Sequence, residues 1–237
     1  MQGPYGDRDR GGGSELSELL NQHVDDLPGS LQAALDLLVD SGCLRDFLYR
    51  VRHTTELPRI TRLEAAEAHP NGFAKVCVAT EHNRWLLRLH VWSNRSADPH
   101  IHTHRWNFAS RVLTGGVVNR TYGLVADGTD HIHLLCRRTP RNDYFFDCVG
   151  RCGVEAMDVA GYTRGDSYAQ NLQQLHAVSA TVSPQTVTVV LQSRDMRSES
   201  NVVQRLTEVA PKVRSVIYLS DSEVGDVLDL ALAGLGS

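Results

Sequence analysis

Long apolar runs are missing from this chain. None reaches the roughly 20 residues that a helix needs to cross a bilayer, and the first residues carry no apolar signal core. Excess positive charge is missing too: a formal net charge of −4 over 237 residues offers no polycation to nucleic acid or to an anionic membrane. The chain has no Gly-x-Gly-x-x-Gly dinucleotide fingerprint, no cysteine cluster for iron–sulfur and no internal repeat. Its five cysteines (Cys43, Cys77, Cys136, Cys148, Cys152) are odd in number and scattered, which argues against a disulfide framework. Cys148 and Cys152 have no second cysteine pair to complete a zinc site and read as ordinary strand and turn residues. A reduced, cytoplasmic protein is expected, with one large domain or one domain behind a helical preface.

Residues 1–14, with Gly11-Gly12-Gly13, read as a flexible leader. Residues 15–70 read as an N-terminal helical segment. Leu16, Leu19 and Leu20 keep helical spacing, as do Leu31, Ala34, Leu35, Leu37 and Leu38, then Leu44, Phe47 and Leu48. Ser30 is placed as the N-cap of the second helix, and Pro58 and Pro70 punctuate the exit. From Gly72 the period changes to two. Strands are expected at 73–80, 85–92, 111–125, 131–138, 144–149, 154–162, 177–182 and 186–192, with turns at Glu81-His82-Asn83, Asp127-Gly128 and Ser183-Pro184. So many short strands imply a mainly β fold, a jelly-roll barrel over residues 71–219. Residues 220–237 read as a C-terminal helix capped by Ser220 or Ser222, with Glu223 in its first turn.

Chemistry concentrates in Asp98-Pro99-His100-Ile101-His102-Thr103-His104-Arg105-Trp106. Alternate strand residues share a face, so two of these imidazoles can converge, and His176 from a distant strand can complete a set of three. Neutral imidazole suits iron, zinc, copper and nickel. The frame around them is specific. Three residues after His104 comes Phe108, then six residues, then Gly115; Gly165 is followed by ten residues and His176. This spacing is similar to that of the two cupin motifs, with His102, His104 and His176 as metal ligands. His100 reads as a spare ligand, a group behind the ligands or a strand-entry residue. A second His-x-His, His131 and His133, lacks any such frame and reads as a solvated strand face.

The cupin frame supplies a glutamate where this chain has Phe108. Three neutral imidazoles leave a divalent ion at +2 and about three of six octahedral positions open, which favours an anionic chelating substrate and leaves room for dioxygen. A three-histidine cupin preceded by helices resembles the cysteine dioxygenase-like group of thiol dioxygenases, over roughly residues 73–193. The resemblance implies Fe(II) with O2 as co-substrate; zinc, nickel or manganese is the metal of a non-redox alternative. Aligned without a gap, the group's substrate-carboxylate arginine falls on Lys75, which reads either as that cation or as a solvated strand residue. With one residue deleted, the Ser-x-His-x-Tyr run of the group's animal and many bacterial members falls on Thr188, Val190 and Gln192, so only the hydroxyl survives, and free cysteine is a doubtful substrate. Tyr168 reads as a replacement donor or as a core tyrosine, and Trp106 and Phe108 as core or pocket wall.

The leading expectation is therefore a mononuclear non-haem iron oxygenase of a small, amino-acid-like or carboxylate-bearing metabolite, with no nucleic-acid or membrane partner and a homodimer as an allowed assembly. Two alternatives stand beside it: a non-redox metal cupin catalysing an isomerisation, lyase or rearrangement step, and a non-catalytic small-ligand-binding cupin.

Overall fold

The computed structural model of the chain describes residues 14–54, 66–69, 71–92, 100–125, 127–140, 142–180, 185–207 and 212–236. The leader before Ser14, Pro58, Pro70, Asp98, Pro99 and the Ser183-Pro184 turn lie outside them. Among these described residues three helices come first, α1 (Ser14–His23), α2 (Pro28–Asp40) and α3 (Cys43–His53). Fourteen strands follow: β1 (Ala66–His69), β2 (Phe73–Glu81), β3 (Trp85–Trp92), β4 (Ile101–His102), β5 (Phe108–Thr114), β6 (Gly116–Val125), β7 (His131–Arg138), β8 (Tyr144–Thr163), β9 (Ser167–Gln170), β10 (Leu175–Ala180), β11 (Thr186–Ser193), β12 (Ser200–Arg205), β13 (Val213–Arg214) and β14 (Ile217–Tyr218). Helix α4 (Asp221–Leu235) closes the chain.

The strands form two antiparallel seven-stranded sheets, ordered β14-β1-β2-β3-β11-β5-β9 and β13-β8-β6-β10-β4-β12-β7. This is the mainly β jelly-roll architecture with terminal helices that the sequence implies. Strand β8 pairs with β7 along its first half and with β6 along its second, which closes the second sheet's hydrogen-bond order into a ring.

Period-two patterning decides which face of the first sheet meets which partner. Leu87, Leu89 and Val91 on β3, with Val187, Val189 and Leu191 on β11, pack against Leu31, Leu35 and Leu38 of α2, Leu44 and Leu48 of α3, and Val227 and Leu228 of α4. Each fully buried leucine in that layer contributes about 1.5–3 kcal/mol relative to an exposed one. The alternate residues face the barrel interior. Register aligns them in rows across the sheet: Glu67, Lys75, His90, Thr188 and Val112; then Cys77, Arg88, Val190, Ser110 and Tyr168; then Leu86, Gln192, Phe108 and Gln170.

Both motif glycines earn their place through backbone geometry. Gly115 (φ 68°) turns β5 into β6, and a Cβ there would stand 2.3 Å from Thr186 Oγ1, which itself bonds both Gly116 N and O. Gly165 (φ 90°) makes the turn into β9, a conformation that favours glycine.

The structure corrects several local expectations. Ala66–His69 is a strand, held between β2 and β14, rather than the tail of a helix. Leu27 is the N-cap of α2 with Pro28 in the first turn, and the Ser30 hydroxyl instead donates to His23 O across the α1–α2 turn. The expected strand over 111–125 is two strands broken at Gly115, whereas 144–149 and 154–162 are one strand with a register shift near Gly150. Ser220 caps α4 in a reciprocal box with Glu223. No helix among the described residues is long and apolar enough to cross a membrane.

Candidate metal centre

His102, His104 and His176 converge on one point, their ligand nitrogens all within 4.8 Å of one another. Ring centroids lie 4.8, 4.9 and 5.0 Å apart, a nearly equilateral triangle. His102 and His176 are direct cross-strand partners. His104 stands beyond the end of β4, on a segment pinned from both sides. Thr103 N donates to Asn201 O at 2.9 Å, and Asn201 N donates to Thr103 Oγ1 at 2.8 Å. Farther along, Asn107 O accepts from Ser193 N at 2.9 Å and Asn107 Oδ1 from Leu172 N at 2.6 Å.

Hydrogen bonds fix which nitrogen of each ring is available. His102 Nδ1 lies 2.8 Å from the carbonyl of His100, which can only accept, so Nδ1 carries the proton and Nε2 the lone pair. His176 Nδ1 lies 3.0 Å from Asn119 Oδ1, while Asn119 Nδ2 donates to Gln170 Oε1 at 3.0 Å. That second bond orients the amide and makes His176 the donor, again leaving Nε2 free. Such partners commonly orient metal-binding imidazoles. His104 Nε2 and His176 Nε2 are 2.8 Å apart. With bonds of about 2.0–2.1 Å, two imidazole nitrogens at right angles around one ion sit ~3 Å apart, so the donor set fits a divalent cation. Burial holds all three rings below the ordinary histidine range, in the neutral ligand form, and the neighbouring rings add to this at His104 and His176.

His100 contributes its carbonyl, and its ring meets Gln204 Nε2 at 3.3 Å. Among the described residues no carboxylate joins the cluster. Phe108, 5% exposed, occupies that side, with its ring 4.7 Å from His104 and 5.7 Å from His176. Asp166 is engaged elsewhere, accepting from Thr163 N and Oγ1.

His102 and His104 border a cavity of about 990 Å³ whose wall also includes Lys75, Arg88, Arg138 and Gln192; His176 stands behind them, 2% exposed. Lys75 is not a solvated residue: its side chain is 12% exposed and ion-paired with Glu67. Glu67 is 3% exposed. It also receives Arg138 at 3.1 Å and the Tyr144 hydroxyl at 2.7 Å. Burial alone would raise the Glu67 carboxyl, but Lys75 and Arg138 outweigh it and hold the group well below the usual carboxylate range. Burial draws Lys75 down from the usual lysine range, against the pull of Glu67. With three donors on one carboxylate, Glu67 is ionised at neutral pH.

Thr188 is buried in the row of His90 and does not reach the cavity wall, whereas Gln192 does. Tyr168 is buried behind Phe108, stacked on Tyr162 at 4.5 Å. Its phenol is pushed above the usual range by burial, against a hydrogen bond to Ser110. Trp106 lies 5.6 Å from His104 and carries the guanidinium groups of Arg88 and Arg105, each 5.0 Å from its centroid. The second His-x-His is structural rather than solvated. His131 is buried beside Asp130, and His133 bonds Asn201 Oδ1 at 2.8 Å, bracing the asparagine that pins Thr103. Sequence reasoning missed Asn119, Gln170 and Glu67. Asn119 and Glu67 are polar residues at inward strand positions, a pattern visible only once the strands are in register.

No family model matches the chain, and no curated protein matches it in sequence. Solved structures do. A hydroquinone 1,2-dioxygenase in complex with Cd2+ and 4-hydroxybenzonitrile is 15% identical, over 50% of this chain and 61% of its own, with a TM-score of 0.31. An RmlC-like cupin protein from Desulfovibrio desulfuricans is 17% identical over 55% of this chain and 91% of its own (TM-score 0.29). Hydroxypropylphosphonic acid epoxidase from S. wedmorenis is 13% identical over 75% and 94% (TM-score 0.32). This chain thus spans about three fifths of the hydroquinone dioxygenase chain.

Proposed function

We propose that this protein is a mononuclear non-haem iron oxygenase of the cupin type, acting on a small amino-acid-like or carboxylate-bearing metabolite in the cytoplasm. His102, His104 and His176 hold the metal, Fe(II) in this reading. The observation that carries it is the triangle of three neutral imidazoles, two of them with Nδ1–H committed to an acceptor and Nε2 turned inward. When bound there, Fe(II) supplies a centre for dioxygen chemistry driven by the substrate's own electrons.

The chain's residues do the rest. Phe108 keeps an acid off the cluster, so the ligand set carries no negative charge and favours an anionic chelator. Tyr168 backs Phe108 and fixes its ring. Lys75, together with Arg138, makes the cavity wall electropositive while Glu67 anchors both cations. Thr188 packs behind His90.

Elemental analysis of the untagged protein, paired with oxygen uptake on a panel of amino acids and thiols, tests the reading. Iron at one equivalent, lost in His102→Ala, His104→Ala and His176→Ala with the fold intact, is the expected result. Full metal occupancy in His176→Ala overturns the ligand assignment. An all-histidine set also suits zinc or nickel acting as a Lewis acid. Stoichiometric zinc with no oxygen uptake would move the protein to that second reading.

A further inference from the structure

Gln192 is 5% exposed, yet neither end of its side-chain amide has a hydrogen-bond partner among the described residues, and Oε1 is fully buried. Buried amides are almost always satisfied. Gln192 borders the cavity. Diagonally across from it on the same inner face is Arg88, paired in register with Val190. Diagonal neighbours at such spacing lie within reach of long side chains. Arg88 also borders the cavity, lies over Trp106 and has no carboxylate partner among the described residues. Two residues along the strand, His90 Nε2 is, with Gln192 Oε1, a second buried atom of a cavity-wall residue without a partner. Lys75 and Arg138, by contrast, are committed to Glu67. Trp106 contacts both the Arg88 guanidinium and the His104 ring.

We propose that Arg88, Gln192 and His90 form a subsite beside the three histidines that binds an amide-bearing carboxylate, the substrate being an N-acylated or peptide-like organic acid rather than a free amino acid. The planar guanidinium matches a carboxylate through two parallel hydrogen bonds, and His90 Nε2 supplies a further donor. The Gln192 amide is complementary to an amide of the ligand, Oε1 accepting its N–H and Nε2 donating to its carbonyl. A cavity of about 990 Å³ lies at the upper end of the 300–1,000 Å³ range typical of small-molecule sites, ample for such a conjugate. The assignment rests on the three histidines being the reaction centre.

Calorimetric titration of the full-length protein as isolated, with its metal, tests the subsite using three probes. N-acetylglycine carries both groups, acetate only the carboxylate and N-methylacetamide only the amide. N-acetylglycine is expected to bind at least about tenfold more tightly than either fragment, one good charge-assisted hydrogen bond being worth roughly that or more. Arg88→Gln should weaken N-acetylglycine and acetate alike. Gln192→Leu should remove the advantage of N-acetylglycine over acetate while leaving acetate unchanged. Should Arg88→Gln fold poorly, Arg88→Lys keeps the charge without the fork and should still weaken both acids. Equal affinity for N-acetylglycine and acetate, or a Gln192→Leu protein that binds like the parent, overturns the proposal. Metal content, measured on the same samples, separates the two failures. A protein with one metal and oxygen uptake but no amide preference loses only the subsite. A metal-free protein that keeps the preference retains the subsite and loses the reaction centre.

Discussion

His176 Nδ1 and Asn119 Oδ1 face each other at 3.0 Å in a buried contact, and Asn119 is in turn held by Gln170. A residue on β6 therefore sets the tautomer of a histidine on β10, and it does so without touching the inward nitrogen. Asn119→Leu keeps the volume and removes the acceptor. It should lower metal affinity by about 10–100-fold, read by competition against a chromophoric chelator. Asn119→Asp, which restores an acceptor, should recover most of the loss. Parent-like affinity in Asn119→Leu would show that packing alone orients the ring.

Phe108 stands where an acid completes the ligand set in the cupin frame, its ring against those of His104 and His176. Phe108→Glu should add a fourth ligand, lower the charge of a divalent site from +2 to +1, and raise metal affinity while suppressing oxygen uptake. Unchanged affinity together with unchanged uptake would mean that the new carboxylate turns away from the cluster.

Glu67 joins β1 to β2, β7 and β8 through Lys75, Arg138 and Tyr144. Removing one partner of a buried ion pair leaves the others uncompensated, at a cost of about 3–5 kcal/mol. Glu67→Gln should lose stability on that scale in urea denaturation. The sign of the pH dependence follows from the direction of the Glu67 shift. Its carboxyl is held low in the folded protein and sits near 4.3 when unfolded. The stabilisation is therefore complete above about pH 5 and lost progressively as the solution is acidified below that. The gap between parent and Glu67→Gln should narrow from pH 5 to pH 2; a gap independent of pH would show that the charge on Glu67 does not matter.

The three-histidine cluster was legible because its spacing is a covalent property of the chain: the x between His102 and His104, and the ten residues from Gly165 to His176, survive any detail of packing. The helical face of α2 and the alternation along β3 were legible for the same reason, since each buries one continuous stripe. Elements without such a stripe were not. Strand β4 is two residues long, and β1 contributes the buried pair Ala66 and Glu67, one apolar and one charged. Lys75 could be read as a solvated cation because its counter-charge lies on another strand, at a register position that no local pattern encodes. His131 and His133 misled for the converse reason: what decides their environment is Asp130 on one side and the distant Asn201 on the other.

Free cysteine should be a poor substrate, and this prediction draws on both the sequence and the cavity. The inward positions of β11 are Thr188, Val190 and Gln192, of which only Gln192 reaches the cavity wall. The histidine and tyrosine that accompany the three ligands in the cysteine dioxygenase-like group have no counterpart among them. Lys75, the residue aligned with that group's carboxylate-binding arginine, is already neutralised by Glu67. The remaining cation on this inner face, Arg88, lies one tryptophan away from His104, a placement suited to a ligand longer than an amino acid. Iron-loaded protein supplied with cysteine should show oxygen uptake near background, and Lys75→Ala should change that background little. Rapid stoichiometric conversion of cysteine to its sulfinic acid would demonstrate that neither the missing side chains nor the neutralised lysine is needed. It would place the protein with the cysteine dioxygenases.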